Sequence, residues 1–136
     1  MIVAVGIDLV DLDRVRRAYR AHGERFVRRC CTEDEARALA GRADPVPGLA
    51  ARFAAKEAFQ KTWGETLSWH DVAVVSDERG APRLAFSARV ARRLADEGWR
   101  AHVSLTHART HAAAVVVLEG RAADGAAAIA NAPGGT

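Results

Sequence analysis

Lysine is nearly absent from this chain: eighteen of its twenty cations are arginine, and only Lys56 and Lys61 are not. Arginine richness of that kind is expected of a GC-rich genome and carries no functional information, which makes the two lysines the unusual cations. Cysteine is scarce as well. Cys30 and Cys31 are adjacent, and neighbouring residues cannot close a disulfide of relaxed geometry. They read as two packed thiols in a reducing, cytoplasmic setting. No apolar run approaches the ~18 residues of a membrane span, and the apolar start at Met1 reaches Asp8 too soon for a signal peptide. A Gly-x-Gly-x-x-Gly turn and a Walker-type loop are both missing, which argues against Rossmann and P-loop nucleotide sites. There is no internal repeat.

What is present is ordinary in amount: 136 residues, 49% hydrophobic and 27% charged, enough for one domain with its own core. Residues 2–10 read as a strand with Val3, Val5, Ile7 and Leu9 on one side and Ala4, Gly6 and Asp8 on the other. Asp11 or Asp13 caps a helix from about Leu12 to Ala21, closed by Gly23. Thr32 and Glu35 have capping-box spacing and start a second helix that ends near Gly41. Residues 44–48 read as a loop, and an Ala-rich helix follows from about Leu49 to Trp63, stopped by Gly64. The hairpin 71–76 and 82–86, a helix capped by Ser87, and two late strands at 101–106 and 112–118 complete the domain. This order is not strict βαβ alternation. It predicts an α+β fold, an antiparallel β-sheet packed with helices, in residues 1–120. The Ala/Gly-rich tail, 121–136, lacks aromatics and periodicity and is expected to be disordered.

Candidate chemistry begins with Phe53, Glu57 and Lys61, which at i, i+4 and i+8 project from one side of a helix. By itself that is an exposed Glu–Lys pair, and Asp8 by itself is a strand-end cap. Should the helix pack across the first strand, the two carboxylates would hold one hard cation. Mg²⁺ suits such a site, with water and substrate phosphate oxygens filling the other positions. Lys61, one turn along, would then neutralise a bound phosphate.

Gly6-Ile7-Asp8-Leu9-Val10, then Arg52-Phe53-Ala54-Ala55-Lys56-Glu57-Ala58, then His102-Val103-Ser104-Leu105-Thr106-His107 occur in that order. In these three segments the chain resembles the holo-[acyl-carrier-protein] synthases, the small 4′-phosphopantetheinyl transferases, over about residues 1–119. The resemblance implies Mg²⁺-dependent transfer of the phosphopantetheine arm from coenzyme A to a serine of an acyl carrier protein. It implies a homotrimer with active sites between subunits. By the same resemblance, Asp8 and Glu57 are metal ligands, Lys61 contacts the coenzyme's phosphates, and Arg52 and His107 line that site. Glu57 is the candidate base and Lys61 the cation that answers charge on the leaving group; His107 is a weaker candidate base. The loop 63–69 departs from the family, being shorter, with a single glycine and with Glu65 near an anionic ligand.

Between Arg14 and Arg29 stand seven arginines and one acid, Glu24. Such a face steers an acidic carrier protein, and Arg14, Arg25 and Phe26 match the family's docking region. A nucleic-acid face is the other reading of these charges. Only Tyr19 and Phe26 interleave them, and no nucleic-acid module is recognisable. A binding module without catalysis would not need Asp8, Glu57 and Lys61 together.

Overall fold

A computed structural model of the chain describes residues 1–121; the expectation for the tail, 121–136, lies outside the described residues save for Arg121. Strand β1 (Ile2–Asp11) runs straight into helix α1 (Leu12–His22). Asp11 caps the helix, its Oδ1 accepting the Asp13 N–H at 2.8 Å. Gly23 breaks the chain with φ 55 and ψ −131, and a separate helix α2 (Glu24–Cys30) follows. The arginine-rich stretch is therefore split over two helices, of which the sequence predicts only the first. Helix α3 (Glu33–Ala40) carries the predicted capping box between Thr32 and Glu35.

Helix α4 (Val46–Trp63) begins three residues before its predicted start. The reason is local: Pro47 lies in the first turn, where a missing N–H costs nothing, and Asp44 Oδ1 accepts the Val46 N–H at 3.1 Å. Hairpin β2 (Val72–Ser76) and β3 (Pro82–Phe86), helix α5 (Ala88–Glu97), and strands β4 (Trp99–His107) and β5 (His111–Gly120) complete the order. The main sheet is antiparallel in the order β1–β5–β4, and the β2–β3 hairpin forms a second, two-stranded sheet. The α+β expectation holds.

The position of α4 decides everything else. It crosses the sheet with Ala54, Ala55 and Ala58 fully buried, and it meets β1 on the side that carries Ala4, Gly6 and Asp8. A Cβ on Gly6 would lie 1.9 Å from the Ala58 carbonyl oxygen, so only glycine permits this approach. Small residues on both elements bring backbones together, and the bulky side of the strand is left outside. Val5, Ile7 and Leu9 are 43%, 63% and 66% exposed. One core cluster lies between the sheet, α4, the hairpin and α5, centred on Phe59, Val72, Val90 and Leu118. The other lies under α1–α4, where Leu39 and Leu49 pack with the free thiols Cys30 and Cys31.

Asp71 ties the hairpin to α5. Its carboxylate accepts from the Ser68 N–H at 2.8 Å, Ser87 Oγ at 2.6 Å and Arg89 Nη2 at 2.7 Å. Burial alone would push this carboxyl up; the Arg89, Ser87 and Ser68 hydrogen bonds prevail and hold it at about 2, against an ordinary 3.8. A carboxylate depressed by folding adds stability above its unfolded value, and that stability disappears as pH falls toward the folded value. The stabilising share of Asp71, about 2 kcal/mol, is expected to vanish between pH 4 and pH 2. Urea melts should show the gap between wild type and Asp71→Asn narrowing over that interval; a constant gap would contradict the assignment.

Candidate active site

Asp8 leaves β1 on its small-residue side, and because α4 lies close on that side, the strand carboxylate meets the helix. An open cavity of about 600 Å³ is lined by Asp8, Arg14, Phe26, Phe53, Glu57 and His111, from β1, α1, α2, α4 and β5. Burial pushes the Glu57 carboxyl up, and the neighbouring Asp8 charge pushes it further; Lys61 and Arg14 pull in the other direction. Lys61 Nζ donates to the Ile7 carbonyl at 2.7 Å and lies 3.4 Å from Asp8 Oδ1. The two acids that the sequence kept apart by 48 residues thus share one cavity with one lysine beside them.

This donor set tests the fit of a metal. Two carboxylates at one cavity, with Glu57 pushed up by burial and by the Asp8 charge, attract a divalent cation. Among the described residues there is no group of three or more His, Cys, Asp or Glu side chains that could hold a metal. An all-protein cage is therefore not what these residues offer. Two oxygen ligands with room for water and phosphate is the pattern that suits Mg²⁺.

The structure does not bring every expected residue to this cavity. Arg52 is buried behind it, its Nη1 donating to the Gly48 carbonyl at 3.1 Å and its Nε 3.6 Å from Glu35 Oε2. His107 is exposed at the end of β4, two strands from Asp8, and pairs in register with Ala112. His111 lines the cavity instead, opposite Asp11 in the β1–β5 register. No sequence signal marks His111, since a cross-strand register cannot be read from local pattern. Glu65 is answered by Arg93 Nη1 at 3.1 Å, and Arg93 also lies 4.5 Å over the Trp63 ring.

The second rare lysine, Lys56, is structural. It is 5% exposed, and Nζ donates to Glu35 Oε1 at 2.6 Å and to the carbonyls of Cys30 at 2.7 Å and Trp69 at 2.8 Å. Glu35, 1% exposed, also accepts the N–H groups of Thr32 and Val74, each at 3.0 Å. The pair joins α2, α3, α4 and β2 behind the cavity. In the sequence only Glu35's capping-box spacing and the rarity of lysine mark this pair.

Toward solvent, Arg16 makes two hydrogen bonds with Asp44, at 3.2 and 2.8 Å, and Arg28 reaches Glu24 at 3.5 Å. The other five arginines of the cluster, 14, 17, 20, 25 and 29, have no ion-pair partner among the described residues. Phe26 stacks toward Phe53 at 6.1 Å between ring centroids, and Phe53 meets Trp69 at 4.4 Å. The cavity therefore has an apolar wall flanked by uncompensated positive charge.

The 4′-phosphopantetheinyl transferase superfamily matches residues 4–116. A holo-[acyl-carrier-protein] synthase of Thermus thermophilus is 53% identical over 125 residues, covering 92% of this chain and 99% of the relative. One from Deinococcus radiodurans is 48% identical, covering 88% and 94%. The crystal structure of the Neisseria meningitidis holo-[acyl-carrier-protein] synthase superposes with a TM-score of 0.81 at 31% identity, covering 88% of this chain and 99% of that one. That of the Bacillus anthracis enzyme, in complex with CoA (3′,5′-ADP), gives 0.74 at 33% identity, covering 88% and 98%. Fold, cavity and relatives agree: the chain belongs to the 4′-phosphopantetheinyl transferase superfamily, as an enzyme of the holo-[acyl-carrier-protein] synthase family.

Proposed function

We propose that this enzyme moves the 4′-phosphopantetheine group from coenzyme A to a serine hydroxyl of an apo acyl carrier protein in the cytoplasm, releasing adenosine 3′,5′-bisphosphate. The observation that carries this reading is the meeting of Asp8 and Glu57 at one cavity, with Lys61 Nζ 3.4 Å from Asp8 Oδ1. In the step proposed, the serine oxygen bonds to the phosphorus that bears the pantetheine arm. The bond from that phosphorus to the bridging oxygen breaks, and the nucleotide leaves with that oxygen. Such a transfer depends on positioning and charge neutralisation more than on covalent catalysis. Mg²⁺ held by Asp8 and Glu57 would supply charge neutralisation on the diphosphate. Lys61, beside Asp8, would answer negative charge on the leaving phosphate. Glu57, raised by burial and by Asp8, is the candidate acceptor of the serine proton. Arg52 acts from behind, through Glu35, and His107, exposed at its strand end, is left to meet coenzyme held between subunits.

The arginines of α1 and α2 without an ion-pair partner among the described residues, Arg14 and Arg25 included, form with Phe26 the proposed carrier-docking face. Acidic carriers would be steered to it and oriented by it. The decisive measurement is the mass of an apo carrier protein incubated with enzyme, coenzyme A and Mg²⁺. A gain of one phosphopantetheine arm supports the reading; no gain across a panel of carriers overturns it.

A homotrimer is part of the same proposal. Val5, Ile7 and Leu9 make an exposed apolar strip on β1, continued by the half-buried Val115 and Val117 of β5. Exposed apolar area of this kind marks an interaction surface, and copies of this chain are the proposed cover. Ile7→Glu is expected to convert the assembly to monomers in analytical ultracentrifugation, with loss of activity. A wild-type chain that sediments as a monomer at micromolar concentration would refute the trimer.

A further inference from the structure

The cavity that holds Asp8 and Glu57 is lined as well by Asp11 and Arg14, where β1 passes into α1, and by His111 at the start of β5. Lys61 stands 3.4 Å from Asp8 Oδ1 but is not part of this lining. Asp8 therefore borders both the lysine and the cavity. With a diphosphate drawn to Lys61, the cavity is left to the other substrate, which arrives over Arg14. Of the polar side chains in the lining, Asp8 and Glu57 are assigned to the metal, and Asp11 caps α1. Arg14 belongs to the docking face. His111 alone has no task.

Yet its ring is held. Nδ1 lies 2.8 Å from Thr110 Oγ1, and Nε2 has no hydrogen-bond partner among the described residues. The Thr110 carbonyl accepts the Leu12 N–H at 2.9 Å, and the Ala108 N–H donates to the His111 carbonyl at 2.7 Å. The turn between β4 and β5 is thus closed on itself and pinned to the first residue of α1, the helix that carries Arg14. A hydroxyl on one ring nitrogen orients an imidazole and leaves the other nitrogen as its free polar atom. A group ordered in advance loses less entropy when it makes a hydrogen bond on binding. Asp8, Asp11 and Glu57 share the lining, so a neutral group of the partner suits this place and an acidic one is repelled.

We propose that His111 is a recognition residue for the carrier protein: its free ring nitrogen hydrogen-bonds a hydroxyl or backbone amide of the carrier beside the reacting serine, and the Thr110 hydroxyl positions the ring to do so. The proposal rests on the transferase reading above and deepens it. It separates two kinds of carrier contact. The arginines act through charge, which salt screens; His111 acts through one directed hydrogen bond, which salt weakens little.

The test uses the enzyme with coenzyme A, Mg²⁺ and an apo carrier protein. His111→Ala removes the ring, His111→Gln keeps an amide near the free nitrogen, and Thr110→Val keeps the shape of Thr110 and removes its hydroxyl. One lost hydrogen bond corresponds to about a tenfold weaker affinity. KM for the carrier is expected to rise about tenfold in His111→Ala and to stay within about threefold in His111→Gln. Thr110→Val should fall between them. In all three, kcat should stay within about threefold and KM for coenzyme A should not move. The His111→Ala effect should persist at high salt, where the effect of Arg14→Ala shrinks. A carrier KM that does not move, a coenzyme KM that rises with it, or a loss of kcat in its place would each overturn the proposal. Calorimetric Kd for the apo carrier should follow the same order. A wild type that binds carriers and transfers no arm removes the transferase reading, and the Kd series still decides the function of His111. A wild type that binds no carrier overturns both.

Discussion

Glu57→Gln is expected to lower the rate of arm transfer by about a thousandfold, in the middle of the range for removing a general acid–base group and equivalent to about 4 kcal/mol of barrier. The isosteric amide keeps the helix packing and removes the charge, so the loss reports chemistry and metal binding and not folding. A stability measurement separates the two. Because burial and Asp8 push the Glu57 carboxyl up, its ionised form is disfavoured in the fold, and this penalty grows as pH rises above the ordinary carboxylate range. Without divalent metal, the variant at pH 7 should melt no lower than wild type. Adding Mg²⁺ should raise the wild-type Tm by mass action and leave that of Glu57→Gln unchanged. Asp8→Asn should behave alike, and the double variant should be little worse than either, since the two carboxylates act as a unit. Turnover by Glu57→Gln within a few-fold of wild type at saturating Mg²⁺ would remove both its proposed functions.

Lys56→Met should have the largest effect on stability. Removing the ammonium leaves Glu35 buried, with its Oε2 3.6 Å from Arg52 as the remaining cationic contact. Breaking a buried pair from one side typically costs 3–5 kcal/mol, and about 4 kcal/mol is expected here in denaturant melts. The pair Lys56→Met with Glu35→Gln should recover part of that loss, since no buried charge is then orphaned, and the coupling should exceed about 1 kcal/mol. A Lys56→Met enzyme destabilised by less than about 1 kcal/mol would mean that the ammonium is not the junction its three short hydrogen bonds describe. The two lysines of α4 thus diverge in function: one at the cavity's edge, the other sealed into the core.

The element kinds were legible because the signals are local. Caps at Asp11 and Thr32, helix-ending glycines at 23, 64 and 98, and the alternation of the late strands all act within a few residues; Ser87 stands at the start of α5 but its hydroxyl donates to Asp71 and does not cap the helix. Helix α2 escaped because it has only two turns and its charges continue the pattern of α1. The start of α4 escaped because a Pro-x-Pro-Gly run reads as a loop unless a carboxylate such as Asp44 caps it.

The candidate site was legible as residue types and not as an arrangement. Asp8, Glu57 and Lys61 were marked by resemblance, and the structure brings them together. Arg52 belonged to the same segment, but the helix turns its side chain toward Glu35, away from the cavity. His107 and His111 flank one short turn, and only the β1–β5 register selects the second for the cavity lining. Glu35 and Lys56 had no sequence signal beyond a capping box and rarity, because their partners lie in other elements.

By itself the sequence determined the α+β class, which segments are helix and strand, and which side of the first strand carries small residues and an acid. Tertiary structure decided that this small side, and not the bulky one, is covered by α4, because Gly6 and Ala58 let the two backbones come closer than any side chain allows. From that contact follow the shared cavity of two carboxylates, the burial of one lysine and the exposure of the other, and the apolar face left open on the sheet. Local propensity is encoded within a turn or two of chain; the meeting of residues 49 positions apart is set by how closely two surfaces can pack.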